Sequence, residues 1–330
     1  MERRRIVPPA LLDFIHRGNT FLVAGHKEPD ADCVGSVLVL VSLLRRLGKT
    51  AIPCMEGPWK RPEIERFQGL FCKAPDKEQC EGAFVIIADC SSPDRTGDLA
   101  AFLEGHPTAI IDHHLSGAYY CGEGPAGPVF ADSKAPATTC LIASLAGALG
   151  LSLEREEAQL LLLGLCTDTG FFRHVDEKGA EAFEIAAYLI HAGASPKAAF
   201  RDMNGGKSLG SRVLLGKVLS RCEGLFGGRL LFSTEPLEET QRWGAEGRDS
   251  DSLYQILQNT AGMEAICIVR EEEPGRCAVG MRSRDKVDVA AIAAAFGGGG
   301  HKNAAGASVQ GALADVREFV LAAFAKVFAE

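Results

Sequence analysis

Continuous apolar runs recur through the first half of the chain, and several are followed directly by polar residues that can carry chemistry. Residues 21–24, 83–88 and 108–111 are apolar without alternation, the pattern of strands buried on both faces of a parallel sheet. Helical periodicity fills the intervals. Residues 35–47 are apolar on nearly every face and end in Arg45, Arg46 and Gly48, which predicts a helix packed under the sheet with a glycine stop. Its free N-terminal amides would face the polar residues before it and could hold a phosphate. Residues 136–149 and 154–166 predict two further helices, the second delivering Thr167-Asp168-Thr169-Gly170, and helical character continues over 180–191. Gly193, Pro196 and the pair Gly205-Gly206 then interrupt the pattern, which places a linker at 195–210. Beyond it the chain predicts a helix near 211–222, strands at 229–232, 265–269 and 277–281, a helix over 288–296, a glycine cluster and a terminal helix. The expected fold class is α/β, with a parallel-sheet domain over 1–194 and a smaller α/β domain over 211–330.

Length supports that division, because 330 residues exceed the usual single core. The hydrophobic share of 46% and charged share of 24% are those of a globular protein, and no apolar run is long enough to span a bilayer. The basic start through Arg5 leads into Ile6-Val7-Pro8-Pro9 rather than a long apolar region, so no secretory signal and a cytoplasmic location are expected. Eleven cysteines occur without any Cys-x-x-Cys pair, which argues against a disulfide framework or a thiolate zinc finger. Cys33, Cys90 and Cys166 nevertheless lie within two residues of candidate metal ligands. Thiolate ligation therefore stands beside their reading as small apolar filler. A net charge of −8 weighs against holding long nucleic acid on a broad basic surface. A small anionic substrate remains compatible, since bound divalent cations invert the local field.

The chemistry sits in four stretches: His26-Lys27-Glu28-Pro29-Asp30-Ala31-Asp32, then Asp89, then Asp112-His113-His114, then Asp168. Taken singly, the aspartates read as turn or cap residues and the histidines as a hydrogen-bonded pair. Together they follow strongly apolar elements, where an ionised carboxylate is costly unless paired or metal-bound. Four aspartates and two histidines supply enough oxygen and nitrogen donors for two divalent ions, which can activate water against phosphorus. Hydrolysis of a phosphate ester or anhydride is the natural reaction. The glycine cluster Gly297-Gly298-Gly299-Gly300-His301-Lys302 reads either as a flexible turn or as a cradle for phosphate or base beside positive charge.

These motifs resemble those of the DHH phosphoesterases, a family named for the triplet seen here as Asp112-His113-His114, and most closely its nanoRNase A branch. That branch combines oligoribonuclease activity with phosphatase activity on 3′-phosphoadenosine-5′-phosphate (pAp). His26 to Ser36, Asp89, the triplet and Thr167-Asp168-Thr169-Gly170 match the motifs of the catalytic domain in order, and Gly298 to Gly306 matches the associated C-terminal domain. The resemblance implies one cation held by His26, Asp30 and Asp89, and a second held by Asp32, Asp89, His113 and Asp168, with Asp89 bridging. Manganese is the first expectation, with magnesium or cobalt as alternatives. His114 would lie against the scissile phosphate with Asp112 orienting an imidazole. The second domain would bind the nucleotide end through His301, Gly299 and Gly300, and through Arg282 and Arg284, with the active site in the cleft between the domains. The implied partners are short RNA oligonucleotides or small nucleotides such as pAp, with no membrane and no stable complex with long nucleic acid. A homodimer is compatible. Glu28, Ala31 and Cys33 depart from the Asn-Pro-Asp-Gly-Asp-Ala form that the first motif often takes. Linear dinucleotides, pyrophosphate, single strands as in RecJ, and nucleotide binding without catalysis are the competing readings.

Overall fold

A computed structural model describes residues 5–114, 127–245, 247–284 and 286–329. The chain divides into two compact units, Met1–Gly206 and Lys207–Glu330.

The first unit is built on five parallel strands, β1 (Thr20–Ala24), β2 (Thr50–Cys54), β3 (Phe84–Ala88), β4 (Thr108–Asp112) and β5 (Val129–Ala131), in the order β2-β1-β3-β4-β5. β1, β3 and β4 fall where the apolar runs predict them. β2 and β5 were not legible: β2 contains Pro53 and lies at one edge of the five strands beside β1, and β5 is three residues long at the opposite edge. The chain leaves β1 toward β2 on one side and returns to β3 on the other. That reversal opens a crevice at the carboxyl ends of β1 and β3, where such sheets place their ligands.

Helix packing narrows the crevice. The helix Ala31–Arg46 starts four residues before the expected position, because the Asp30 side chain caps it by accepting a hydrogen bond from the Cys33 amide at 3.0 Å. It lies against the helices Thr138–Ala148 and Arg155–Asp168. Two glycines permit the approach. A Cβ at Gly35 would sit 2.8 Å from the Leu160 carbonyl oxygen, and one at Gly164 would sit 2.6 Å from Thr139 Cγ2 and 2.9 Å from Asp32 Cα. Residues 195–210, expected as a linker, include the helix Pro196–Asn204, which packs on Arg155–Asp168 within the first unit.

The second unit has a six-stranded mixed sheet: β6 (Glu223–Leu225), β7 (Leu230–Glu235), β8 (Ala265–Glu273), β9 (Arg276–Ser283), β10 (Gly299–His301) and β11 (Ala304–Gln310). Their order is β10-β11-β9-β8-β7-β6, and only β7 and β8 run parallel. One face buries Phe232, Cys267, Met281 and Ala305 with Phe324, and the other packs Leu231, Ile266 and Ile268 with Leu214 and Leu253. The glycine cluster is neither a free turn nor an open loop here. Gly299–His301 forms β10, paired antiparallel to β11. Gly298 and Gly300 are required by closeness, since added Cβ atoms would fall 2.2 Å from the Gly306 oxygen and 2.5 Å from the Ala304 oxygen. Among the described residues no helix is long and apolar enough to cross a membrane.

Candidate metal centre

The strand ends deliver the four motif stretches to one place. His26 follows β1, Asp89 follows β3, and Asp112 closes β4 ahead of His113 and His114. Asp32 sits in the first turn of Ala31–Arg46, and Asp168 ends Arg155–Asp168. Asp89 is at the middle. Its Oδ2 lies 3.4 Å from His26 Nε2, while its Oδ1 lies 3.7 Å from both His113 Nε2 and His114 Nδ1. His113 Nε2 is also 3.1 Å from Asp168 Oδ2 and 3.7 Å from Asp32 Oδ2, and His26 Nε2 is 4.0 Å from Asp30 Oδ1. All six predicted ligand residues therefore converge in the first unit. Asp89 has a left-handed backbone, φ 66°, a strained state that Asp and Asn tolerate best among residues with a Cβ.

The imidazoles are oriented from behind. His26 Nδ1 lies 2.8 Å from the Lys27 carbonyl oxygen and His113 Nδ1 lies 3.2 Å from that of Ala135. A carbonyl only accepts, so each ring carries a proton on Nδ1 and turns its Nε2 toward the carboxylates. His113 Nε2 is buried with no aligned hydrogen-bond partner despite its closeness to Asp168. Metal–ligand bonds of about 2.1 Å place neighbouring donors roughly 3.0–3.5 Å apart around one ion, close to the separations around Asp89. The donor set fits divalent cations.

Two residues that no sequence motif singled out support the carboxylates. Asp32 accepts hydrogen bonds from the Thr138 and Thr139 amides at 2.6 and 2.8 Å, and Asp89 Oδ1 accepts one from Thr138 Oγ1 at 2.8 Å. The positive end of the Thr138–Ala148 helix thus faces the buried charge. The signal available was Pro136-Ala137-Thr138-Thr139 at the head of an apolar helix.

Electrostatics in the pocket are those of too many acids in too little water. Burial, with Asp89 and Asp168 nearby, pushes the Asp32 carboxyl well above its usual range, and burial also raises Asp168. Burial works to lower the His113 imidazole, but Asp168 and the charges of Asp32 and Asp89 prevail and push it up to about 10. Asp89 goes the other way: burial is outweighed by His26, His113 and His114, which hold it down. In the absence of cations the pocket neutralises itself with protons, as divalent ions would with positive charge.

His114 stands apart from the other two histidines. Its Nδ1 is 2.8 Å from Asp112 Oδ1, which also accepts from its backbone amide, and its side chain is 41% exposed. Asp112, fully buried, therefore fixes this ring with Nδ1 protonated and raises its pKa.

The predicted nucleotide-binding residues lie in the second unit. His301 on β10 stands opposite Ala304, which stands opposite Arg282 on β9, so both side chains share one face of the sheet. The Arg282 guanidinium lies 4.5 Å from the Tyr254 ring centroid and donates to the Met281 carbonyl at 2.9 Å. Gly299 is exposed, Gly300 has φ 145°, and Arg284, beyond the end of β9, donates to the Gln258 carbonyl at 2.5 Å.

Comparison with known proteins accords with this geometry. Residues 20–165 match the model of the DHH family N-terminal domain and residues 229–330 match the DHHA1 domain. The chain is 32% identical over 292 residues to the bifunctional oligoribonuclease and PAP phosphatase NrnA of Thermus thermophilus, covering 88% of this chain and 84% of that protein. It is 24% identical to the cyclic-di-AMP phosphodiesterase GdpP of Geobacillus thermodenitrificans over 93% of its own length, but spans only 47% of that longer protein. An exopolyphosphatase-related protein of Bacteroides fragilis has a similar fold, with a TM-score of 0.72 at 21% identity over 97% of this chain and 96% of that one. The chain therefore belongs to the DHH family of phosphoesterase hydrolases and carries a DHHA1 domain in its C-terminal unit.

Proposed function

We propose that the chain hydrolyses very short oligoribonucleotides to mononucleotides and removes a phosphate from pAp. In this reading His26, Asp30 and Asp89 hold one divalent cation and Asp32, Asp89, His113 and Asp168 the other, manganese foremost. The observation that carries it is the convergence of buried Asp32 and Asp89 with two imidazole Nε2 atoms at the sheet's switch point. Similarity to NrnA along most of the chain narrows the substrate class.

When bound, the cations acidify water and neutralise charge developing on the phosphoryl group. The chain does the rest. Asp89 turns one oxygen to each side, and the Lys27 and Ala135 carbonyls keep His26 and His113 in the ligating tautomer. Asp112 orients His114 toward the reacting phosphate and favours its protonated form, so that its ring stabilises the transition state. The domain at 211–330 binds the nucleotide end through Gly299, Gly300, His301, Arg282 and Arg284.

The test is a substrate panel with Mn²⁺: 5′-labelled oligoribonucleotides from dimers upward, pAp, a linear diadenylate and pyrophosphate. Turnover that is highest on dimers and pAp is expected. Undiminished activity on long strands with none on dimers would overturn the proposal. A marked preference for the linear diadenylate would favour the reading suggested by the similarity to GdpP.

A further inference from the structure

A row of glycines crosses the sheet of the second unit. Gly299 on β10 stands opposite Gly306 on β11, which stands opposite Gly280 on β9, so all three share the face that carries His301 and Arg282. With strands about 4.8 Å apart, the row leaves a strip roughly 10 Å long without side chains. The chain's own packing gives Gly299 no reason to be glycine and Gly306 little. A Cβ at Gly299 would meet nothing within 4 Å, one at Gly306 would meet only the Val279 carbonyl oxygen at 3.2 Å, and neither residue has a positive φ. Glycine weakens a strand, and where packing does not demand it, it marks the close approach of another molecule.

Gly280 differs. A Cβ there would fall 2.2 Å from Tyr254 Oη, so the hydroxyl of Tyr254, carried by the helix Ser250–Gln258, closes the inner end of the strip. Burial pushes the pKa of this phenol up to about 12, so it keeps its proton as a donor. The same ring lies under the Arg282 guanidinium at 4.5 Å. Arg248 and Arg270 are paired with Glu235 and Glu272, but among the described residues no carboxylate pairs with Arg282. Its charge is left for an anion.

Resting on the nucleotide-hydrolysing reading above, we propose that Tyr254 sets the nucleotide specificity of this unit. A base lies flat on the Gly280–Gly306–Gly299 strip with its polar edge on the Tyr254 hydroxyl, while the tyrosine ring holds the Arg282 guanidinium for the attached phosphate.

Calorimetric titration of the full-length chain, cations chelated, with AMP, GMP, CMP, UMP and ribose 5-phosphate tests this. The wild-type chain should rank the four nucleotides and bind ribose 5-phosphate more weakly. Tyr254→Phe keeps the ring, so ribose 5-phosphate should bind as before, while the preferred nucleotide weakens by roughly 3–10-fold and the ranking narrows. Tyr254→Leu should weaken ribose 5-phosphate as well. Gly299→Val should lose the nucleotides with stability to urea kept, since its side chain enters only the strip. A Tyr254→Phe variant that matches the wild type, or that weakens ribose 5-phosphate and nucleotides alike, would overturn the role of Tyr254, as would a Gly299→Val variant that binds normally. A wild-type chain that hydrolyses dimers but ranks no nucleotide would overturn it and leave the proposed function standing. Absence of hydrolysis with the ranking intact would instead sink that function alone.

Discussion

At the scale of single residues, charge and backbone can be tested separately at Asp89. Asn tolerates the left-handed conformation found there and removes only the charge, so Asp89→Asn should abolish turnover and lower metal content at both positions. His114→Ala should instead reduce turnover by about 100-fold or more with metal content kept. Metal analysis of the two purified variants decides between these roles, and equal metal loss in both would contradict them. His113 sets a pH dependence. Its folded-state pKa is raised to about 10 in the ion-free chain, so at neutral pH a cation must displace its proton. Binding should release protons, and affinity should rise with pH toward about 10, as calorimetry in buffers of different ionisation enthalpy would show. The same shift contributes stability to the ion-free chain below the unfolded value near 6.5, and that contribution is lost as pH rises through about 10.

At the scale of elements, the sequence revealed what it did because ligands and strands announce themselves together. The continuous runs before His26, Asp89 and Asp112 mark buried parallel strands, and a buried carboxylate at the end of one requires a partner. What stayed hidden depends on contacts far along the chain. The support that Thr138 and Thr139 give to Asp32 and Asp89 is invisible locally, because those residues read as an ordinary helix start. The start of Ala31–Arg46 was misplaced because Asp30, read as a ligand, also serves as the helix cap. Glu28, one of the departures in the first motif, holds φ 55°, where Asn is easier, with its amide donating to the Gly57 carbonyl and its carboxylate accepting from Lys60. Thr138→Val keeps the shape and removes the hydroxyl donor to Asp89, so metal affinity should fall by about 10–100-fold with the fold intact. Equilibrium dialysis measures this. Gly164→Val should cost about 1–3 kcal/mol or more in urea unfolding, since the new side chain enters the space of Thr139 and Asp32.

At the scale of the whole molecule, the first unit has its own sheet, its own buried core and every candidate cation ligand. A fragment ending at Gly206 should therefore fold and bind metal, whereas activity on pAp should be lost with residues 211–330; a fragment that binds no metal would contradict this. In the full chain, cation at about 100 times its Kd should add about 2.7 kcal/mol to the stability of the first unit. Its melting point should rise by about 5–10 °C, an increase that chelation reverses. The feature behind this is the way one pocket draws side chains from residue 26 to residue 168. Ions seated there would act as a non-covalent staple across most of the first unit, removing loop entropy as a disulfide would. Occupancy thereby acquires an outward sign: loaded molecules should resist limited proteolysis where stripped ones are cut, so a gel band could report cofactor status in crude extract before any substrate is added.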